Sequence, residues 1–172
     1  MLDDRTLDLV EGGFDVALRI GALQDSSLVA QRLGTSRSAL VAHPGYLAHA
    51  GAPRTPKDLE GHATLAYSLS QTLWTLKQGR RSEVLRVKPL LRANSSVALL
   101  GALRQRLGIA RMPLFVVGQE LARGRLARVL PGWELPASPI HAVTTARSHL
   151  PRKTRAFIDF FRARLGEPPP WE

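Results

Sequence analysis

The feature that most constrains this chain is the way short runs of alternating apolar residues are cut off, again and again, by glycine, proline or a brief stretch of helical spacing. "FDVALRI" (14–20) puts Phe14, Val16, Leu18 and Ile20 on one face and Asp15, Ala17 and Arg19 on the other, the period of a strand. "SLVAQRLG" and "SALVAH" repeat the pattern, and the second runs into "PGYLAHAG", a short helix stopped by Gly51. Thr55 and Pro56 open a one-turn helix in "RTPKDLEGH", because a proline loses nothing at the first helical position. "ATLAYS", "TLWTLKQG" and "SEVLRVKPLLRA" are extended, the last interrupted by Pro89. After the capping residues Asn94, Ser95 and Ser96, Val97, Leu100, Leu103 and Leu107 recur at helical spacing, and Gly108 supplies a left-handed stop. "GIARM" is a short strand, Pro113 opens a helix ending near Gly124, and "GRLARVL" and "SPIHAVTT" return as strands. A final helix, about Pro151 to Leu165, buries Phe157, Ile158, Phe161 and Leu165, and Thr6 to Glu11 reads as one helical turn. Strands alternating with helices of this length predict an α/β protein with largely parallel sheets, in which ligands gather beyond the carboxyl ends of strands.

Composition narrows the chemistry. With 172 residues and 44% hydrophobic content, the chain has material for one substantial core or two small lobes. It has no cysteine, which removes disulfides, thiol nucleophiles and thiolate metal sites and suits a reducing compartment. The start, "MLDDRTLDLVEGG", is acidic and unlike a secretory signal, and no stretch approaches the roughly 20 apolar residues of a membrane span, so the expected location is cytoplasmic with no membrane partner. The formal net charge of +10 points towards anionic partners, but the arginines are scattered and the lysines are only Lys57, Lys77, Lys88 and Lys153. A dispersed charge is expected to be a solvated surface.

The order and spacing of four segments carry a resemblance. "LDLVEGGFDVALRIGALQDSSLVAQRL", "LVAHPGYLAHAGAPRTPKDLEGH", "ANSSVALLGALRQRLGIARMPLFVVGQELARGRLARVLPGW" and "KTRAFIDFF" together resemble the effector-binding domain of LysR-type transcriptional regulators, from about Leu7 to Leu165. The resemblance implies a two-lobed fold of the type 2 periplasmic-binding-protein kind, with a small molecule held between α/β lobes. It implies crossings near Arg37 to Leu40 and near Thr145 to His149: lobe one from residues 1–38 and 146–166, lobe two from 39–145, and a proline-rich tail over 167–172. A full regulator of this type begins with a winged helix-turn-helix and a linker helix, and its effector domain opens with a strand and a helix before the "DLV" segment. None of these is in the sequence, so the first βα unit of lobe one is expected to be missing, DNA would be reached only through the missing N-terminal winged helix-turn-helix, and the homodimer surface is in question. The "IARMP" segment also puts Arg111 where the family more often has an apolar residue.

The candidate site residues are Arg19, Gly21, Leu23, Asn94, Ser95, Ser96 and Arg147. Asn94, Ser95 and Ser96 precede a helix, where free N–H groups and the helix dipole favour an anion by about 0.3–1 kcal/mol. Ordinary N-capping explains the same residues without a ligand. The resemblance implies that these positions line the effector cleft. Arg19 has two readings, a carboxylate partner or an ion pair with Asp15 or Asp25. Leu23 and the backbone of Gly21 would floor the crevice, although Gly21 also suits a turn. Arg147 is a weaker candidate beside the second crossing, where a solvated loop residue is the plainer account. His43, His49, His62, His141 and His149 fit no metal-ligand spacing, and there is no nucleophile elbow or glycine-rich phosphate loop. No catalytic residue, metal or cofactor is expected. Arg104, Gln105 and Arg106 lie opposite the apolar side of their helix; by resemblance they would meet a partner subunit, and without one they form a solvated face. The expected function is the sensing of an acidic or aromatic metabolite. A solute-binding receptor feeding a transporter is the alternative on the same fold.

Overall fold

The computed structural model describes residues 12–23, 28–68, 72–145, 150–165 and 169. Its elements, in chain order, are β1 Ala17–Ile20, β2 Val29–Ser36, β3 Ser38–Ala42, α1 Pro44–Ala50, a 3-10 helix Pro56–Gly61, β4 Thr64–Tyr67, β5 Leu73–Gln78, β6 Arg81–Arg86, β7 Pro89–Ala93, α2 Ser96–Arg104, β8 Ile109–Pro113, α3 Leu114–Ala122, β9 Ala127–Val129, β10 Ser138–Thr144 and α4 Arg152–Arg164. The helical turn expected at Thr6 to Glu11, Asp25 and Arg147 lie outside the described residues.

Two compact units are present: a continuous one, Arg37–Pro136, and a split one made from described residues on either side of it. The first change of unit, between Ser36 and Arg37, lies at the edge of the stretch expected for it. The return lies between Pro136 and Ala137, ahead of the Thr145 to His149 stretch that the resemblance implied. The reason is a ladder: β10 pairs antiparallel with both β1 and β2, so residues 138–144 belong with the split unit.

The continuous unit is built on a five-stranded mixed sheet in the order β7-β4-β8-β3-β9. β4 runs parallel to β7 and β8, whereas β3 is antiparallel to β8 and β9. The split unit holds the antiparallel sheet β1-β10-β2. The expected largely parallel architecture is therefore corrected to a mixed one. Apolar alternation reports that a face is buried; it does not report strand direction. β5 and β6 form a separate antiparallel hairpin that sets Trp74 opposite Leu85. Trp74 and Leu76, buried together with Leu40, Leu59, Ile109 and Val129, form the continuous unit's main core.

Local chemistry fixes the short elements. His43 caps α1 with Nδ1, which accepts from Gly45 N–H at 2.9 Å. The Asp58 carboxylate accepts from the N–H groups of Arg54 and Thr55, each at 2.9 Å, and these bonds hold its pKa below the ordinary value. The Tyr46 hydroxyl meets His62 Nδ1 at 3.1 Å and accepts from Ala63 N–H at 3.1 Å, which ties α1 to the approach of β4.

α2 is shorter than its spacing predicts. It ends at Arg104, with Arg106 in the left-handed position at φ 61°, so Leu107 lies beyond the helix and is exposed, as is Val97. The buried side chains are Leu99, Ala102 and Leu103. Gly108 does not stop the helix: it sits against Ala63, where an added Cβ would collide with the backbone carbonyl, and this lets Ile109 N–H bond Ala63 O at 2.9 Å.

In the split unit, α4 packs Ile158 and Leu165 against Leu33, Ile140 and Ala142. A bulge opposite Ile140/His141 turns both Leu33 and Gly34 towards the helix, and a Cβ on Gly34 would lie 2.8 Å from the Leu165 carbonyl oxygen. The apolar face read from "FDVALRI" is covered only in part. Val16 packs against the core, while Phe14, Leu18 and Ile20 are exposed, as are Phe157 and Phe160 on α4.

Candidate functional site

In the continuous unit, the parallel strands β4 and β7 both run towards the start of α2, and Ser68 N–H closes the pair by bonding Ala93 O at 2.8 Å. The Arg92 side chain reaches the Ser68 carbonyl at 3.0 Å from the neighbouring strand. Carboxyl ends of parallel strands beside a helix N-terminus are where α/β folds collect anions. The first turn of α2 has no acidic residue to offset its positive end.

Ser95 is the N-cap, extended at φ −137° and ψ 127°, and buried at 3% exposure. Its side chain makes no capping hydrogen bond. The plain explanation of this serine, ordinary capping, therefore does not describe its hydroxyl. Asn94 and Ser96 flank it, both half-buried and both engaged in interactions of their own.

The remaining described candidates are in the split unit. Arg19 is half-buried on β1, paired in register with His141. Gly21 takes φ 114° and spends its N–H on Pro139 O at 3.0 Å, so it continues the sheet edge by one bond and its positive φ accounts for the glycine. Leu23 is half-buried. Thus Asn94, Ser95 and Ser96 are adjacent at one helix start, and Arg19, Gly21 and Leu23 follow one strand end; each group is described within its own unit.

Sequence reasoning missed Glu120, which is 4% exposed on the inner side of α3. Arg104 grips it with two bonds, Nη2 to Oε1 at 3.0 Å and Nε to Oε2 at 3.3 Å, and Arg125 adds Nη2 to Oε1 at 2.6 Å. Arg104 above all, then Arg125, holds the carboxyl below its ordinary 4.5 against the opposing effect of desolvation. Arg104 is in turn held more firmly protonated. The arginine assigned to a solvated face is the clasp between α2 and α3. An acidic residue at a position four before Gly124, inside an apolar helix, was the available signal. Arg111 is on β8, partly buried, and donates to Pro136 O at 3.4 Å; burial pulls its pKa down.

Comparison with known proteins gives a consistent picture. The family model described as LysR substrate binding domain matches residues 1–166. An uncharacterized HTH-type transcriptional regulator of Haemophilus influenzae is 37% identical over 153 residues, covering 88% of this chain and 53% of its own length. The HTH-type transcriptional regulator PtxR of Pseudomonas aeruginosa is 36% identical over 174 residues, covering 98% of this chain and 55% of its own length. The chain thus spans about half the length of these curated relatives. Among solved structures, the regulatory domain of CrgA from Neisseria meningitidis superposes with a TM-score of 0.82 at 29% identity, over 91% of this chain and 78% of that one. No helix among the described residues is long and apolar enough to cross a membrane.

Proposed function

Because the chain belongs to the LysR substrate-binding domain family, the effector-binding domain of LysR-type regulators, we propose that it senses a small acidic or aromatic metabolite and converts its binding into a change in transcription. The metabolite's carboxylate is received at the start of α2 by Asn94, Ser95 and Ser96. Arg19, Leu23, the turn at Gly21 and Arg147 contribute from the other lobe. Binding favours one relative arrangement of the lobes, and in a complete regulator that arrangement alters how paired DNA-binding heads meet their operator. The ligand is held and not transformed, and the protein works in the cytoplasm as a homodimer.

The observation that carries this reading is Ser95, a buried N-cap residue whose side chain makes no cap bond at a helix start without acidic residues. No observation in the fold favours the transporter-receptor alternative. The test is a thermal-shift and calorimetric screen of aliphatic and aromatic carboxylic acids. A true effector at about 100 times its Kd adds about 2.7 kcal/mol to stability. The proposal expects Ser95→Ala to weaken that effector at least fivefold without lowering the unliganded melting point. Unchanged affinity in Ser95→Ala would remove the α2 start from the site.

A further inference from the structure

The run "FDVALRI" (14–20) is symmetric in character about its centre: apolar and charged residues alternate outwards from Ala17, with the acid Asp15 and the base Arg19 at matching places. Its strand, β1, lies at one side of the β1-β10-β2 sheet, and no strand among the described residues meets its other edge. Gly21 N–H bonds Pro139 O, so by the alternation of an antiparallel ladder Arg19 and Ala17 also turn their backbone groups towards β10. Those of Leu18 and Ile20 face the other edge.

The apolar side chains at this edge lack cover. Leu18 lies opposite Ala142 and Ile20 opposite Ile140, on the face that packs α4, yet they are 40% and 51% exposed. Phe14 is exposed too. An edge strand that offers both backbone groups and apolar side chains is a template for another strand.

Register identifies the occupant. Set antiparallel against itself about Ala17, the run places Val16 opposite Leu18 of a second copy, Phe14 opposite Ile20, and Asp15 opposite Arg19, each twice. The backbone alternation allows only even-numbered residues against even-numbered ones. Moving the centre to Leu18 puts Arg19 opposite Ala17, and moving it to Arg19 sets two arginines face to face. The register centred on Ala17 alone pairs opposite charges.

We propose that two copies of the chain pair antiparallel through β1, centred on Ala17, joining their three-stranded sheets into one. As described, β1 starts at Ala17 and the chain bends at Asp15, so pairing extends the strand back to Phe14. The Asp15–Lys153 pair at 2.6 Å is exposed on both sides and yields at little cost. Arg19 already has an interaction within the chain, and the several N–H donors of its guanidinium let it meet a second group. The pairing specifies the surface of the homodimer and does not depend on effector binding.

The test is sedimentation equilibrium of the full 172-residue chain. The parent should dimerise, and Asp15→Arg and Arg19→Asp should each weaken dimerisation about tenfold, because each sets like charges opposite one another twice. An equimolar mixture of the two variants restores both opposite pairs and should recover association to within about twofold of the parent. A second readout does not depend on charge, since the chain has no cysteine of its own. Ala17→Cys brings two thiols together on the axis, at the roughly 4.5 Å between Cα atoms of a non-hydrogen-bonded pair, within the span of a disulfide. Leu18→Cys leaves its two Cα atoms about 8 Å apart, too far to bridge. Mild oxidation should link the first variant and not the second. A parent that stays monomeric, charge variants that stay weak when mixed, or Leu18→Cys linking as readily as Ala17→Cys would each overturn the proposal. A dimer indifferent to both charge reversals overturns it as well, while leaving the homodimer of the functional reading on another surface.

Discussion

The two units solve the same problem with unequal means. In the continuous unit, a five-stranded sheet and a hairpin close around Trp74, Leu76 and Ile109, all at 1% exposure or less. In the split unit, three antiparallel strands share one described helix, and the core cluster among the described residues joins Leu33, Ile140, Ala142, Ile158 and Leu165. Its sheet edge leaves Ile20 51% exposed. Apolar alternation is regular in the split unit's first strand, yet Leu18 and Ile20 stay exposed, so pattern alone does not set burial. What sets it is how many layers the surrounding chain lays over each face.

The comparison breaks most visibly if the largest core side chain is removed. Trp74→Ala should cost about 3–5 kcal/mol in urea unfolding, because the hairpin and the 3-10 helix packed with it cannot collapse into the space. Hydrogen exchange should then show lost protection in β3, β4 and β8. Ile158→Ala, the corresponding deletion beneath the split unit's sheet, should cost less, about 2–3 kcal/mol, since the thinner unit relaxes more easily. Equal costs would mean that the two cores are equally packed.

Glu120 tests the polar side of the same contrast. Glu120→Gln leaves Arg104 and Arg125 facing a neutral group and should cost about 2 kcal/mol, tempered because both arginines are half exposed. Since the folded carboxyl titrates below its ordinary 4.5, the clasp's contribution is fully present above that value and fades as pH falls through the lower folded pKa. The wild-type protein should therefore lose stability on acidification below about pH 4.5, whereas Glu120→Gln should lose less over the same window. Parallel curves for the two proteins would take Glu120 out of the clasp.

Much of the element order was legible, because caps and breakers act locally: Thr55-Pro56, Pro113 and Gly124 stand where their chemistry predicts. Three things were not. Strand direction depends on partners distant in sequence, which is why β3, apolar from Ala39 to Ala42, proved antiparallel to β8. The end of α2 was misplaced because Arg106 adopted the left-handed conformation that glycine usually takes, freeing Gly108 for its close approach to Ala63. Ser95 could be named from sequence as a cap, but the absence of a side-chain cap bond depends on the folded geometry of the helix start.

The smallest effect is the most informative about the split unit. Ile20 sits at the end of an edge strand and is more exposed than buried, so Ile20→Thr should change unfolding free energy by no more than about 0.5 kcal/mol. Threonine keeps the β-branched shape that suits a strand, so the ladder to Ile140 is retained. Phe14, Leu18 and Ile20 nevertheless expose apolar surface near a sheet edge that carries no further strand among the described residues, the arrangement that promotes pairing between copies. Sedimentation velocity at rising concentration should consequently show self-association in the parent that Leu18→Thr/Ile20→Thr reduces, with little change in melting point. A loss of more than about 1 kcal/mol would instead mean that these side chains are part of the core.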